Sequence, residues 1–135
     1  MISIEQITPY LTHRLRRDVI YPGKKIFEME MDEDNDGIHF GAFRDNKLVG
    51  VVSLFQTGTD FQFRKLAVDP TIQKTGIGSS LLKQITVYAK ENSGNRLWCN
   101  ARLTAIGFYL KAGFIETGKF YSKNSIDYEI MEKVI

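Results

Sequence analysis

The sequence predicts one domain of mixed α/β (α+β) class, with a strand, helix, strand, helix unit in its second half. Three observations lead there. A chain of 135 residues is too short to bury two separate cores. Its apolar residues alternate with a period of two from His39 to Val68, switch to spacings of three and four from Ile77 to Ala89, and return to strand-like runs near the C-terminus. No linker, repeat or low-complexity tract divides that order, so residues 1–135 are read as a single domain.

Ile2, Ile4 and Ile7 open with a short strand pattern. Thr8-Pro9 then starts a helix, with a hydroxyl at the N-cap and proline at the first helical position, running through Leu11 and Leu15 to about Val19. Tyr21-Pro22-Gly23 stops it. The stretch Glu28 to Asp36 carries six carboxylates around two methionines and is expected to be an exposed or mobile acidic loop with room for a short helix. His39 to Phe43 and Leu48 to Phe55 form a hairpin about Asp45-Asn46, and a third extended run, Phe61 to Val68, ends at Asp69-Pro70 because proline cannot continue a central ladder. Ile77, Leu81, Leu82, Ile85, Tyr88 and Ala89 mark one face of an amphipathic helix that stops near Asn92-Ser93-Gly94. Arg96 to Asn100 reads as a strand, Thr104 to Lys111 as a helix closed by Gly113, and Phe114 to Tyr121 and Ile126 to Lys133 as two last strands.

Composition excludes several classes. Eighteen basic and sixteen acidic residues leave a net charge of +2, too weak for a nucleic-acid footprint. The start lacks a basic region followed by an apolar run, and no 18 apolar residues are consecutive, so a cytoplasmic protein without a membrane partner is expected. Cys99 is the only cysteine, so no internal disulfide or thiolate metal cluster is expected.

The strongest local signal runs from Leu66 to Leu82: a strand, a turn at Asp69-Pro70, the glycine-rich stretch Gln73-Lys74-Thr75-Gly76-Ile77-Gly78, then a helix. Glycines let backbone approach a ligand, and the helix start offers unpaired N–H groups with partial positive charge, a natural anion site. Lys74 adds a mobile cation. A Walker loop would need lysine followed by serine or threonine after its last glycine, where Ser79-Ser80 stand. A dinucleotide fingerprint would need a small residue at Leu81. Both readings fail.

The whole string, Gln73 to Gly78 after Leu66-Ala67-Val68-Asp69-Pro70, resembles the coenzyme A signature of the GNAT superfamily, Gln/Arg-x-x-Gly-x-Gly/Ala. Ala105-Ile106-Gly107-Phe108-Tyr109-Leu110-Lys111-Ala112-Gly113-Phe114 is similar to the same family's Ala-Ile-x-x-Tyr-x-x-x-Gly-Phe segment, so the likeness covers about Phe61 to Phe120. The resemblance implies a central mixed, mostly antiparallel sheet flanked by helices and splayed between its fourth and fifth strands, here Phe61 to Val68 and Arg96 to Asn100. It implies that backbone groups of Leu66, Ala67 and Val68 pair with the pantetheine arm of acetyl-CoA. The N–H groups of Gln73, Lys74, Thr75, Gly76, Ile77, Gly78 and Ser79 would cradle its pyrophosphate. Tyr109 matches the general acid that protonates the departing thiolate, a phenol near pKa 10 facing a thiol of about 8.5. Where many members carry asparagine, seven residues before that tyrosine, this chain has Arg102; Asn100 is the substitute candidate for contacting the coenzyme. Phe108, with Trp98 and Phe114, is expected to fill core or line the coenzyme slot.

The acceptor is expected to be a primary amine, whose proton some group must remove. Family members often use a glutamate on the fourth strand, and Phe61 to Leu66 holds none; Asp60 or a water held by carbonyls is left for the task. The acceptor pocket is expected at the edge formed by the first helix, the acidic loop and the last two strands. Arg14, Arg16 and Arg17 read as a solvated face that could border the acceptor, whereas the acidic loop would attract the opposite charge. His13 reads as a surface helix residue, His39 as a strand residue, and Cys99 as a buried small residue and not an acyl relay. A non-catalytic acyl-CoA-binding module of the same fold is the alternative function, with a monomer or a homodimer expected in either case.

Overall fold

In a computed structural model that describes residues 2–135, the first isoleucines build strand β1 (Ile2–Ile7), which pairs antiparallel with β2 (Ile38–Arg44). Asp45 and Asn46 turn the chain with φ of 50° and 65°, the left-handed region that short polar side chains tolerate. That turn delivers β3 (Lys47–Thr57), and β3 pairs with β4 (Asp60–Val68). The later strands are β5 (Arg96–Arg102), β6 (Ile115–Lys123) and β7 (Ile126–Val134), and one sheet holds all seven in the order β1-β2-β3-β4-β5-β7-β6. Every pairing is antiparallel except β4 with β5.

The parallel pairing is short. Asp60, Phe61 and Gln62 of β4 match Arg96, Leu97 and Trp98 of β5, and beyond them the two strands part. A second irregularity lies on the same strand. Val51 opposes Ala67 but Ser53 opposes Arg64, so Lys65 and Leu66 stand against the single residue Val52 as a bulge, and Lys65 takes a φ of 58°. The bulge changes which side chains share a face: Phe61, Phe63, Leu66 and Val68 meet the main core, while Ala67 turns to the other side against Leu15 and Val51.

The main core forms under α2 (Ile77–Glu91), whose Ile77, Leu81, Leu82, Ile85 and Ala89 are buried against Phe40, Val52, Leu54, Phe61, Phe63, Leu97 and Cys99. Gly50 sets how close that helix comes: a Cβ there would lie 3.0 Å from Ile77 and 3.1 Å from Leu81. A shorter helix, α3 (Ile106–Lys111), follows a 3-10 turn over Leu103–Ala105. Burial pushes the Cys99 thiol up to about 12, so it stays protonated and inert at neutral pH, as a buried small residue should.

The first helical segment departs from expectation. It is a 3-10 turn (Pro9–Thr12), a single α-helical turn α1 (His13–Leu15) and a π-helical stretch (Arg16–Ile20). Of the three arginines expected to form a solvated face, Arg14 is exposed and Arg17 partly so, but Arg16 is only 1% exposed. The cause is long-range pairing. Arg16 donates from both terminal nitrogens to the two Asp34 oxygens at 2.8 and 2.9 Å, and further to the Met29 carbonyl and the Ser53 hydroxyl. The acidic stretch is correspondingly less open than expected: two 3-10 turns, Ile26–Met29 and Asp34–Asp36, fold it inward and bury Asp34. His13, expected on the surface, is buried beside that pair. His39 is buried too, bonded to the Ser53 hydroxyl and the Asp34 carbonyl.

Candidate active site

The loop before α2 is held by its own side chains. Asp69 accepts from the N–H and the hydroxyl of Thr71, Pro70 begins a 3-10 turn over Pro70–Ile72, and the Thr75 hydroxyl donates to the Ile72 carbonyl. Lys74 and Gly76 follow with φ of 67° and 88°. Gly76 is the N-cap of α2, and no side chain caps that end. The first helical bond runs from the Ser80 N–H to the Gly76 carbonyl, which leaves the N–H groups of Ile77, Gly78 and Ser79 without intrahelical acceptors. Gln73, Lys74, Thr75, Gly76 and Ser79 are exposed while Ile77 anchors the turn in the core. Open space lies where a Gly76 Cβ would project. An anion can therefore approach the helix end.

Beside this loop is the edge of β4 that β5 abandons. The Asp69 N–H donates to the Val49 carbonyl, so Ala67, two residues earlier, also directs its backbone groups at β3, opposite Val51. Leu66 and Val68 direct theirs into the gap. Of the three residues expected to meet a pantetheine arm, two present backbone to it, and the Val68 carbonyl already accepts from the Gln73 side chain at 2.9 Å.

α3 closes the gap from the core side. The Phe108 ring reaches over the start of α2, 3.3 Å from where a Gly78 Cβ would stand. Tyr109 lies with its ring centre 5.1 Å from Phe108, 5.7 Å from Phe63 of β4 and 5.9 Å from Phe114. The structure thus brings Tyr109, Phe108, the glycine loop and the free edge of β4 together. Burial raises the Tyr109 phenol well above its ordinary value, with the neighbouring Cys99 adding to the rise and Arg102 opposing it. The near match to a thiol expected from ordinary values is therefore lost: Tyr109 holds its proton firmly and gives it up less readily.

Asn100 is placed differently. It and Arg102 are exposed and alternate along β5 with buried Cys99 and Ala101. Both therefore face away from Tyr109, toward the side of the sheet that carries the first helix. Asp60 sits at the closed end of the parallel pairing, 3.3 Å from Arg96, on the wrong side of the split to take a proton from an attacking amine.

On the first-helix side a pocket of about 290 Å³ is lined by Arg16, Tyr21, Lys24, Glu28, Met29, Met31 and Lys65. The first helical segment and the acidic stretch border this cavity, and the last two strands do not. Lys65, thrown out by the bulge, donates to the Tyr21 hydroxyl and lies 4.5 Å from the centre of its ring. Burial acts to raise the Tyr21 pKa, but the bond from Lys65 and the charges of Lys65, Arg102 and Arg64 outweigh it and hold the phenol below its ordinary value. Sequence reasoning did not single out Tyr21, Lys24 or Lys65. The available signal was Lys65, a cation where the alternation of Phe61 and Phe63 calls for an apolar residue.

The family described as "Acetyltransferase (GNAT) domain" matches residues 10–135. The chain is 26% identical over 128 residues to the uncharacterized N-acetyltransferase YitI of Bacillus subtilis (strain 168), covering 88% of this chain and 86% of that one. It shares its fold with a GNAT family acetyltransferase from Elizabethkingia anophelis solved with acetyl-CoA bound, at TM-score 0.76, 20% identity and coverage of 99% and 98%. A Bacillus subtilis acetyltransferase solved with CoA aligns at TM-score 0.78 and 20% identity, covering 100% of this chain and 99% of that chain.

Proposed function

Because this chain belongs to the GNAT acetyltransferase domain family, we propose that it is an N-acetyltransferase that carries the acetyl group of acetyl-CoA to a primary amine of a small molecule or peptide, by direct attack in a ternary complex. The observation that carries this is the parting of β4 from β5 after Gln62, with an open helix N-terminus at one end of the gap and Tyr109 against it. A binding module needs the first two features; a tyrosine ring packed at the split is what a transferase adds.

When bound, acetyl-CoA supplies a thioester whose carbonyl accepts the amine and whose sulfur leaves as thiolate. The attacking amine gives the proton it loses to water, and this chain's residues bind, orient and supply the proton that sulfur takes. The N–H groups of Ile77, Gly78 and Ser79 bind the pyrophosphate, at roughly 1.5 to 3 kcal/mol for each charge-assisted bond. Leu66 and Val68 hold the pantetheine arm as an added strand, with Gln73 yielding the Val68 carbonyl or bridging to it. Tyr109 keeps a proton at the gap and offers it where negative charge grows.

Tyr109→Phe tests the proposal in a coenzyme A release assay run against polyamines, amino acids, aminoglycosides and peptides. General acids contribute roughly 10² to 10⁴ in rate. Thiolate leaves readily and the Tyr109 pKa is raised, so a loss of about 10² in turnover is expected at most, and about tenfold at least. Coenzyme affinity should stay within about twofold, because the hydroxyl acts on the transition state. Unchanged turnover with chemistry rate-limiting would reduce Tyr109 to a packing residue.

A further inference from the structure

We propose that the pocket beside the β4 bulge binds the acceptor, and that it takes an amine bearing an anionic group, a carboxylate or a phosphate, held by Lys24 and Lys65. This deepens the acetyltransfer reading and rests on it. The sequence sets a basic first helix against an acidic stretch, two features that call for opposite acceptor charges. In the fold most of the acids near the pocket are already engaged. Asp34 has both oxygens on Arg16, Glu33 lies 2.6 Å from Arg64, and Glu28 accepts from the Lys25 N–H at 2.7 Å. Glu30, Asp32 and Asp36 are exposed and do not line the pocket. Among the described residues, Lys24, Lys65 and Arg102 take part in no ion pair. Glu28 keeps its charge and offsets one of the two lysines, so with Arg16 and Asp34 paired the pocket wall retains a net positive charge.

Three further observations agree. The Tyr21 hydroxyl, which could otherwise take a bond from an acceptor ammonium, already accepts from Lys65. Arg16, which also lines the pocket, is 1% exposed and retains a buried Nε–H with no acceptor. Lys65 adopts a left-handed φ inside a strand, a strained state that surrounding structure must impose and that collects at ligand sites. The residue next to it, Leu66, presents its backbone to the β4–β5 gap, so an acceptor anchored on Lys65 has its other end close to the split. A volume of about 290 Å³ suits a small molecule, with Met29 and Met31 as an adaptable apolar wall.

The test uses pairs of amines that differ in one charge: glycine and glycinamide, β-alanine and β-alaninamide, phosphoethanolamine and ethanolamine, with spermidine as the cationic control. Coenzyme A release gives KM for each, and calorimetric titration into protein saturated with coenzyme A gives affinity; KM is compared because the pairs differ in amine basicity. The anionic member of at least one pair should show a KM and a Kd about tenfold lower or better. Lys24→Gln and Lys65→Asn should each remove most of that preference while coenzyme affinity is unchanged; asparagine tolerates the left-handed backbone at 65. The carboxylate and phosphate pairs separate the two anion sources. Equal KM and Kd within every pair, preference for spermidine, or a preference that survives in both variants would overturn the proposal. If acetyl-CoA binds but no amine is acetylated, the acetyltransfer reading fails, and calorimetry alone judges the pocket by the same criteria.

Discussion

Gly76→Asp is expected to weaken coenzyme A binding by at least about a hundredfold while leaving the fold in place. Two opposing effects act on the fold. A φ of 88° costs a side-chain-bearing residue roughly 1 to 2 kcal/mol, but aspartate at the N-cap of α2 returns about 1 kcal/mol by accepting from an unpaired N–H. No atom lies within 4 Å of the new Cβ, so no clash is added. The melting temperature should fall by only a few degrees. For the ligand both effects run the same way: the new carboxylate occupies the open space before Ile77, Gly78 and Ser79, takes their N–H groups and repels a pyrophosphate. Losing two charge-assisted bonds at roughly 1.5 to 3 kcal/mol each gives the hundredfold figure or more. Calorimetric titration with coenzyme A, beside a melting curve, measures both; affinity within about threefold of the unmutated protein would move the phosphate site away from this loop.

Asp34→Ala should be the most destabilising single change outside the apolar core, at about 3 to 5 kcal/mol. Arg16 is buried to 1% exposure, and the substitution leaves its guanidinium with only the Met29 carbonyl and the Ser53 hydroxyl. It also strips the Met31 N–H of its acceptor. For a domain whose total stability is typically about 5 to 15 kcal/mol, that is a large share, and urea unfolding would show it as a lower midpoint with the slope unchanged. Arg16→Met should cost a similar amount, since it leaves the buried Asp34 carboxylate with the Met31 N–H as its remaining close donor. The same cluster makes the fold acid-sensitive. Burial holds His39 below its ordinary value of 6.5, so the unfolded chain takes up the proton first and stability falls as pH drops below about 6.5. Burial acts to raise Asp34, but bonds from Arg16 and Met31 and the Arg16 charge prevail and hold it below 3.8; its contribution is present above that value and is lost in a second, lower range. Stability that stays flat from pH 7 to 5 would contradict the assignment of a neutral, buried His39.

Much of this architecture is legible before any coordinates. The isoleucine alternation at the start, the Asp45-Asn46 turn, the stripe from Ile77 to Ala89 and the glycine loop each depend on residues within one or two turns of one another, and each forms where the spacing places it. Arg16 and Asp34 could not be read that way. Eighteen residues separate them and Ser53 lies 37 from Arg16, so the burial of that arginine, and of His13 beside it, is decided by tertiary packing. The bulge was hidden for another reason: Lys65 has no local feature that announces a positive φ, yet its conformation reverses the facing of Ala67 and supplies one wall of the pocket beside Tyr21. Tyr109 is singled out by resemblance, but its raised pKa follows from burial among Phe63 of β4, Phe108 of α3, Cys99 of β5 and Phe114 in the loop before β6.

The most direct measurement is acetyl-CoA binding by the unmutated protein, followed by calorimetry and by thermal melting on the same sample. The loop at Gln73 to Ser79 and the parted strands predict one site per chain, competed by free coenzyme A, with ligand at a hundred times its Kd adding about 2.7 kcal/mol to stability and several degrees to the melting temperature. Absence of binding heat, with a melting temperature unmoved by millimolar acetyl-CoA, would contradict the account.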